Sequence, residues 1–276
     1  MEQAQLGKDE VISIMRDVGN ACSRHVSVYM VGGGAMALRG EKDATKDVDL
    51  ILESLDEAEE LGRAFERFGF RVDLRHPDEC RAMVDAEILS KPSGIRADIF
   101  VGKVCDKLRF TEGMKRRAVL VERFGNMDLY ICSREDIFLL KSVTARTRDL
   151  DDMMSLFRRG LSRDVLLDEC ESQGAGAVFR TSQIWEAFLL VKVEEMEERY
   201  GVKVPWKRSL RAKAETKMGA QRLLACVDGG IRTVDELARD LKESTEFVRR
   251  CLQYLEEIGE VTIDRKSRPY RVTPSV

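Results

Sequence analysis

The sequence predicts three consecutive domains: an α/β domain with a short mixed sheet at 1–159, a partly basic helical connector at 160–218, and a small helical domain with a β-hairpin at 219–276. Two observations predict this order. Short β-rich runs alternate with amphipathic segments over the first 159 residues, which is typical of α/β folds. Helix start and stop signals then dominate the chain until two short strands close it.

The first elements follow from local signals. An amphipathic helix is predicted at 8–22, and a β-rich run at 25–31 stops at three consecutive glycines. Ser54 can cap a helix that ends before Gly69, and 70–74 returns as a strand. This alternation indicates a sheet packed against helices.

A hairpin and a helix complete the first domain. Residues 120–124 and 127–131 alternate around a Gly-Asn pair, which is a hairpin signal. Ser133, followed three residues later by an acidic residue, predicts the start of a helix at 136–147. In the connector, 161–200 is predicted to be helical, with a break at 173–176 and an apolar stripe formed by Trp185, Phe188, Leu189 and Val193.

The last segment has its own signals. Its caps and periodicity predict helices at 220–227, 234–241 and 245–258, then strands at 260–263 and 270–273. Three helices followed by a hairpin with a basic tip resemble a winged helix-turn-helix domain. The resemblance implies nucleic-acid contacts from the third helix and the wing, by Thr245, Arg249, Arg250, Arg265, Lys266 and Arg268. Dimerisation or packing on another domain is the alternative use of this fold.

Three acidic residues carry the strongest chemical signal. Asp47 and Asp49 stand two apart in an apolar run, so on a strand both point to one face. Asp98 is the one acidic residue in a second strand-like run, and a neighbouring strand would bring it to the same place. Carboxylates this close repel unless a cation lies between them. The pattern predicts a site for Mg²⁺ or Mn²⁺.

The glycines before these residues predict a close approach of the backbone to a ligand. Gly32, Gly33 and Gly34 have no Cβ, so their N–H groups could meet phosphates. A dinucleotide-binding turn is excluded, because Ala37 stands where that pattern needs its third glycine.

The glycine turn, the Asp-Val-Asp pair and the later Asp98 resemble the DNA polymerase β-type nucleotidyltransferase superfamily over about 20–155. The run from Gly32 to Gly40, with Thr45 and Lys46 before the first Asp, looks like its AbiEii-type branch, which includes toxins of toxin–antitoxin systems. The resemblance implies an enzyme that moves a nucleoside monophosphate from a nucleoside triphosphate (NTP) to a hydroxyl. The three carboxylates would hold the metals.

The resemblance also implies nucleotide-binding residues. The three glycines would meet the phosphates, with Thr45 and Lys46 just upstream of the carboxylates. In the AbiEii-like branch a lysine followed by an Arg-Asp element lies beside the triphosphate, which makes Lys141, Arg148 and Asp149 further candidates. An ordinary salt-bridged helix start is the alternative explanation of those three.

Composition fits a cytoplasmic protein with no membrane contact. The chain has 276 residues, a net charge of −3 and 43% hydrophobic residues, with no signal segment and no apolar run of spanning length. Seven scattered cysteines and two histidines argue for reduced thiols and against a zinc site. Between Arg199 and Arg222 eight basic residues face one acidic residue, a candidate phosphate-backbone track.

These observations leave several functions open. We expect a Mg²⁺-dependent nucleotidyltransferase with an RNA or protein acceptor. The enzyme could be a toxin–antitoxin component that binds a cognate antitoxin. It could also form a homodimer. The alternative is a non-catalytic DNA-binding regulator whose degenerate nucleotidyltransferase domain senses a nucleotide.

Overall fold

The structure is a computed structural model that describes residues 5–72, 86–104, 107–144, 146–227, 232–267 and 270–274. It consists of two compact units, Met1–Glu169 and Cys170–Val276. Arg268, predicted to contact nucleic acid, and Cys80 and Cys105 lie outside the described residues. No helix within the described ranges is both long and apolar enough to cross a membrane.

The first unit is built on a mixed seven-stranded sheet. The strands of this unit are β1 (Val26–Val31), β2 (Asp47–Leu52), β3 (Arg71–Val72), β4 (Ala86–Ser90), β5 (Arg96–Val101), β6 (Lys103–Val104), β7 (Leu108–Arg109), β8 (Val119–Phe124) and β9 (Met127–Ile131). The sheet has the order β3-β4-β5-β2-β1-β9-β8, and β6 pairs separately with β7. Strand β2 is parallel to β5 and β1 to β9, while the other neighbours are antiparallel. The mixed α/β class is confirmed.

The helices of this part of the chain are α1 (Lys8–Ala21), α2 (Gly32–Leu38), α3 (Leu55–Arg67), α4 (Glu112–Arg117), α5 (Arg134–Ser142), α6 (Arg148–Arg158) and α7 (Arg163–Gly174), which spans the boundary after Glu169. Helices α1, α2 and α3 contact the sheet. Helices α1 and α3 lie together and bury Met15 and Phe65. Ser54 caps α3 as predicted, because its side chain accepts from the N–H of Glu57.

Two local predictions have different outcomes. The hairpin is confirmed, since β8 and β9 pair antiparallel around Gly125, whose φ is +56°. The next helix does begin after Ser133, which accepts from the N–H of Asp136, but it ends at Ser142 rather than at 147. The physical reason is polar: the Thr144 hydroxyl lies within hydrogen-bonding distance of Lys141 O and of an Asp149 carboxylate oxygen, so contacts with α6 replace a further helical turn.

Helices and a small sheet form the second unit. Its elements are α8 (Trp185–Tyr200), α9 (Lys207–Val227), β10 (Arg232–Thr233), α10 (Val234–Leu241), α11 (Thr245–Glu257), β11 (Val261–Asp264) and β12 (Arg271–Pro274). Strand β12 lies between β10 and β11 and is antiparallel to both. Leu223, Val248, Leu252 and Val272 belong to the core of this unit.

Most cap signals of the second unit are confirmed, with two corrections. Thr233 forms the predicted capping box, and Ser244 caps α11. Helix α9 begins at Lys207, well before the predicted 220, because the basic segment is itself helical. In the apolar stripe, Phe188 is 38% exposed, although the other three side chains are buried.

Candidate active site

Two neighbouring strands bring three carboxylates together. In β2 the fully buried Val48 and Leu50 alternate with Asp47 and Asp49, so both carboxylates project to the opposite face. Strand β5 runs parallel beside β2, and Asp98 is the register partner of Asp49. The sequence-predicted acidic residues therefore share one region of the sheet.

The glycine turn closes on the same region. Strand β1 is antiparallel to β2 with Val31 opposite Asp49, so Gly32 follows directly at that carboxylate. Gly32 has φ +61°, and a Cβ there would lie 2.0 Å from Asp49 Oδ2. No side chain fits that space.

The next two glycines have different surroundings. A Cβ on Gly33 would lie 2.5 Å from Thr45 Oγ1, a hydroxyl that donates to the carbonyl of Asp47. Gly34 is buried within α2, where a Cβ would lie 3.0 Å from Met30 Sδ. Gly33 thus lets Thr45 reach the site, and Gly34 lets α2 pack closely on β1.

A guanidinium lies among the carboxylates. Arg96 Nη2 is 2.8 Å from Asp98 Oδ2, and Arg96 Nε is 3.7 Å from Asp47 Oδ1. From the other side, Arg148 Nη2 is 3.8 Å from Asp47 Oδ2. Sequence reasoning missed Arg96, although its place two residues before Asp98 on a strand puts both side chains on one face.

Burial and like charge make these acids hard to ionise. Burial, and then the charge of Asp49, raise the pKa of Asp98 to about 7, against the lowering effect of Arg96. Burial, and then the charge of Asp47, raise the pKa of Asp49 as well. Arg96 alone therefore does not balance the site, and further positive charge would stabilise its ionised form.

A buried lysine cluster borders the carboxylates. Lys141 Nζ lies 2.9 Å from Asp149 Oδ1 and 2.6 Å from Asp152 Oδ2, and Lys42 Nζ lies 2.8 Å from Asp152 Oδ1. Burial lowers the pKa of Lys141, but Asp152 and Asp149 raise it more. The charged lysine holds α5 and α6 together beside β2. Asp152, which the sequence analysis did not select, stands at i+3 from Asp149 on the same helix face.

Two clefts meet at these groups. The polar cleft has a volume of about 250 Å³ and is lined by Gln5, Gly33, Lys42, Ala44, Thr45, Lys46, Asp47, Arg148 and Asp152. The apolar cleft has a volume of about 80 Å³ and is lined by Val31, Gly32, Ile88, Arg96, Asp98, Phe100, Val104, Ile137, Leu140 and Thr144. Both clefts also contact Asp49, Lys141, Arg146 and Asp149. Of the three carboxylates predicted to hold metal ions, Asp49 is thus the one that lines both clefts.

The donor set suits a hard divalent cation once Arg96 moves. As the side chains stand, no group of three or more Asp, Glu, His or Cys residues could hold a metal ion within the part of the chain that the structure describes. Asp98 Oδ1 is nevertheless buried, and no described residue gives it a hydrogen bond. Carboxylate oxygens are what Mg²⁺ and Mn²⁺ prefer. The residues therefore fit such an ion, with Arg96 as its competitor.

The predicted nucleic-acid contacts lie in the second unit. Thr245 is partly buried at the start of α11, whereas Arg249, Arg250 and Lys266 are exposed. Arg265 forms a bidentate ion pair with Glu256, at 2.6 and 2.5 Å. Part of the predicted positive charge is thus already matched by a carboxylate.

Carboxylates likewise pair with basic residues between Arg199 and Arg222. These ion pairs join Lys207 to Glu197, Arg211 to Glu194, Lys213 and Lys217 to Glu171, Lys217 to Glu186, and Arg222 to Glu243. The Lys217–Glu186 pair is buried. Much of this segment therefore serves helix packing, which weakens it as a phosphate track.

Comparisons with known proteins add little to this geometry. No protein-family model matches the chain, and no curated protein matches it. Among solved structures, the chain is similar to a crystal structure from H. pylori, provisionally described as a nucleotidyltransferase. The two share 14% identity, and the match covers 70% of this chain and 96% of that chain with a TM-score of 0.37. So low a TM-score carries no argument, and the function must be inferred from the site.

Proposed function

We propose that the chain is a Mg²⁺-dependent nucleotidyltransferase that moves a nucleoside monophosphate from an NTP to a hydroxyl. The observation that carries the proposal is the meeting of Asp49 with Asp98 on parallel strands, at a backbone turn that only Gly32 can make. Carboxylates on adjacent strands can hold the metal ions that assist in-line displacement at phosphorus, and a glycine turn beside them lets the backbone approach a phosphate.

The residues divide the work between the two clefts. In the polar cleft, the N–H group at Gly33, together with Lys46 and Arg148, would bind the phosphates. Gly32 lines the apolar cleft beside Asp49, and its N–H group would meet the phosphate nearest that carboxylate. Asp47, Asp49 and Asp98 would hold the metal ions, which when bound neutralise charge on the attacking and leaving oxygens. Asp98 lies on the apolar side, where it would receive the hydroxyl proton.

The acceptor proposed from the sequence is a hydroxyl of RNA or protein, in keeping with a toxin–antitoxin role. We propose that the second unit is a winged helix-turn-helix domain in which α11 and the β11–β12 hairpin face the nucleic acid. The exposed Arg249 and Arg250 support this proposal.

A second candidate is favoured by Arg96. Its guanidinium is already paired with Asp98 and close to Asp47, as expected of a site that binds a nucleotide without metal-dependent transfer. Such a chain would be a DNA-binding regulator with a nucleotide-sensing domain. Both candidates bind NTP, so they differ in whether the protein transfers a nucleoside monophosphate to an acceptor.

Thermal unfolding tests the proposed site. Mg²⁺ and an NTP together should stabilise the protein more than either alone, by about 2.7 kcal/mol at a hundredfold excess over the dissociation constant. Asp49→Asn should abolish this synergy. Asp56→Asn, at a side chain that is 82% exposed, is the matched control and should preserve it. Wild-type protein indifferent to Mg²⁺ with each of the common NTPs would contradict the assignment.

A further inference from the structure

The apolar cleft beside Asp98 has walls that do not suit phosphates. Ile88, Phe100, Val104, Ile137 and Leu140 line it, and each is less than a tenth exposed. Arg96, Lys141 and Arg146 also line the cleft, but Asp49, Asp98 and Asp149 line it in equal number, so its charged groups offer no net positive charge to offset the cost of burying an anionic phosphate. The polar cleft, with Lys42, Lys46 and Arg148, offers the cations that a triphosphate needs.

The positions of the three carboxylates indicate which cleft holds the nucleotide and from which cleft the acceptor approaches. Asp47 lines only the polar cleft, Asp98 lines only the apolar cleft, and Asp49 lines both. A nucleotide bound in the polar cleft would therefore have its α-phosphorus near Asp49. A group entering from the apolar cleft would approach that phosphorus past Asp98, opposite the leaving pyrophosphate.

We propose that the apolar cleft is the acceptor site, and that the acceptor presents an uncharged, apolar group carrying the reacting hydroxyl. This inference rests on the proposed nucleotidyl transfer and narrows its acceptor class. A volume of about 80 Å³ admits a ring edge or a short branched chain. A polyanionic RNA end does not match these walls.

The reaction at this site is balanced by the residues already named. The acceptor oxygen forms a bond to the α-phosphorus while the bond from that phosphorus to the bridging oxygen breaks. Pyrophosphate leaves with the bonding electron pair, and the hydroxyl proton passes to Asp98. Asp98 Oδ1, which receives no hydrogen bond from the described residues, can take the proton, and Oδ2 is left for the metal ion once Arg96 moves.

The test measures acceptor binding and nucleotide binding separately on the full chain. The acceptor probes are 4-methylphenol and cyclohexylmethanol, with glycerol as the polar alcohol. The wild type should bind the two apolar alcohols and not glycerol, as observed by ligand-detected NMR. In the presence of Mg²⁺ and NTP it should also transfer an α-label to them. A tyrosine-containing tripeptide then tests whether the acceptor hydroxyl belongs to a protein side chain or to a free phenol.

Two variants that fill the apolar cleft and one control sharpen the test. Val104→Phe, or Ile88→Phe if the first does not fold, should weaken 4-methylphenol binding at least about tenfold and change Mg²⁺–NTP binding by less than about threefold. Lys46→Ala, in the polar cleft, should weaken Mg²⁺–NTP binding at least about tenfold and change 4-methylphenol binding by less than about threefold. The proposal is supported if the cleft-filling variants lose mainly 4-methylphenol binding and Lys46→Ala loses mainly Mg²⁺–NTP binding.

The failures are distinguishable. If Mg²⁺–NTP binds but neither apolar alcohol does, the acceptor assignment is wrong and the proposed function stands. If filling the cleft abolishes NTP binding, the cleft holds the nucleobase and the assignment is also wrong. Transfer to a transfer RNA 3′ end in preference to both alcohols would contradict it as well. If no NTP binds with Mg²⁺, the proposed function itself fails.

Discussion

Asp49 and Asp98 are register partners on two parallel strands, so two carboxylates meet at the centre of a sheet. Parallel strands in such a position are usually flanked by apolar side chains, and like charges there raise the free energy of the ionised state. Arg96 reduces this cost but leaves the pKa of Asp98 raised to about 7. The pair therefore favours any ligand that brings positive charge between the strands.

The first prediction concerns Gly32. Gly32→Ala should destabilise the fold by more than the roughly 1–2 kcal/mol of a left-handed alanine, because its Cβ would also collide with Asp49. It should abolish stabilisation by Mg²⁺ and NTP. Gly40→Ala is the matched control, since Gly40 has φ +66° but open space around it. Chemical denaturation measures both; equal costs and retained nucleotide binding in the two variants would refute the close approach.

The second prediction concerns Arg96. Without metal, Arg96→Gln should lower the free energy of unfolding by about 3 kcal/mol, because it leaves Asp98 without its buried partner. With Mg²⁺ or Mn²⁺ the variant should bind the ion more tightly than the wild type, since the competing cation is gone. Arg123→Gln, at a side chain that is 71% exposed, should change neither property. Weaker metal binding in Arg96→Gln would show that Arg96 supports the ion rather than competing with it.

The third prediction concerns acid stability. Hydrogen bonds from Ser23 lower the pKa of Glu60 to about 2. The carboxylate therefore stabilises the fold fully above pH 4.5, the ordinary pKa, and this contribution disappears as the pH falls towards 2. Glu60→Gln should cost about 2 kcal/mol at pH 7 and almost nothing near pH 2. Unfolding curves across pH measure this, with Glu59→Gln, at a 67% exposed neighbour, as control. A cost independent of pH would show that packing, not charge, is lost.

The fourth prediction concerns the second unit. If α11 faces nucleic acid, replacing Arg249 and Arg250 by alanine should flatten the salt dependence of duplex binding, by about 0.9 per lost phosphate contact on a log–log plot. Arg265→Ala should flatten it less, because Glu256 already neutralises that guanidinium. Equal slopes in all variants, or no binding at low salt, would leave dimerisation or packing as the use of this unit.

The sequence predicted the local parts of the site for a physical reason. Alternation along one strand places Asp47 and Asp49 on a common face, and a glycine triplet after a strand indicates a backbone turn. Caps such as Ser54 and Thr233 act within four residues, so they too could be recognised in the sequence.

Contacts between distant elements could not be predicted in this way. Whether Asp98 faces Asp49 depends on strand order and register, which a single strand does not encode. The pairing of Lys42 with Asp152 joins a loop to a helix 110 residues away. The early end of α5 depends on Thr144 reaching Asp149 across a turn, so tertiary contacts there override helix propensity.

Nucleotidyl transfer is tested most directly by the fate of the label. Full-length protein is incubated with Mg²⁺, a candidate acceptor pool and an NTP labelled at either the α- or the γ-phosphate. The account predicts that the α-label becomes attached to an acceptor, that the γ-label is released as pyrophosphate, and that Asp98→Ala lowers transfer by about two or more orders of magnitude. Tight NTP binding with no α-label on any acceptor, unchanged by Asp98→Ala, would contradict it and favour the regulator.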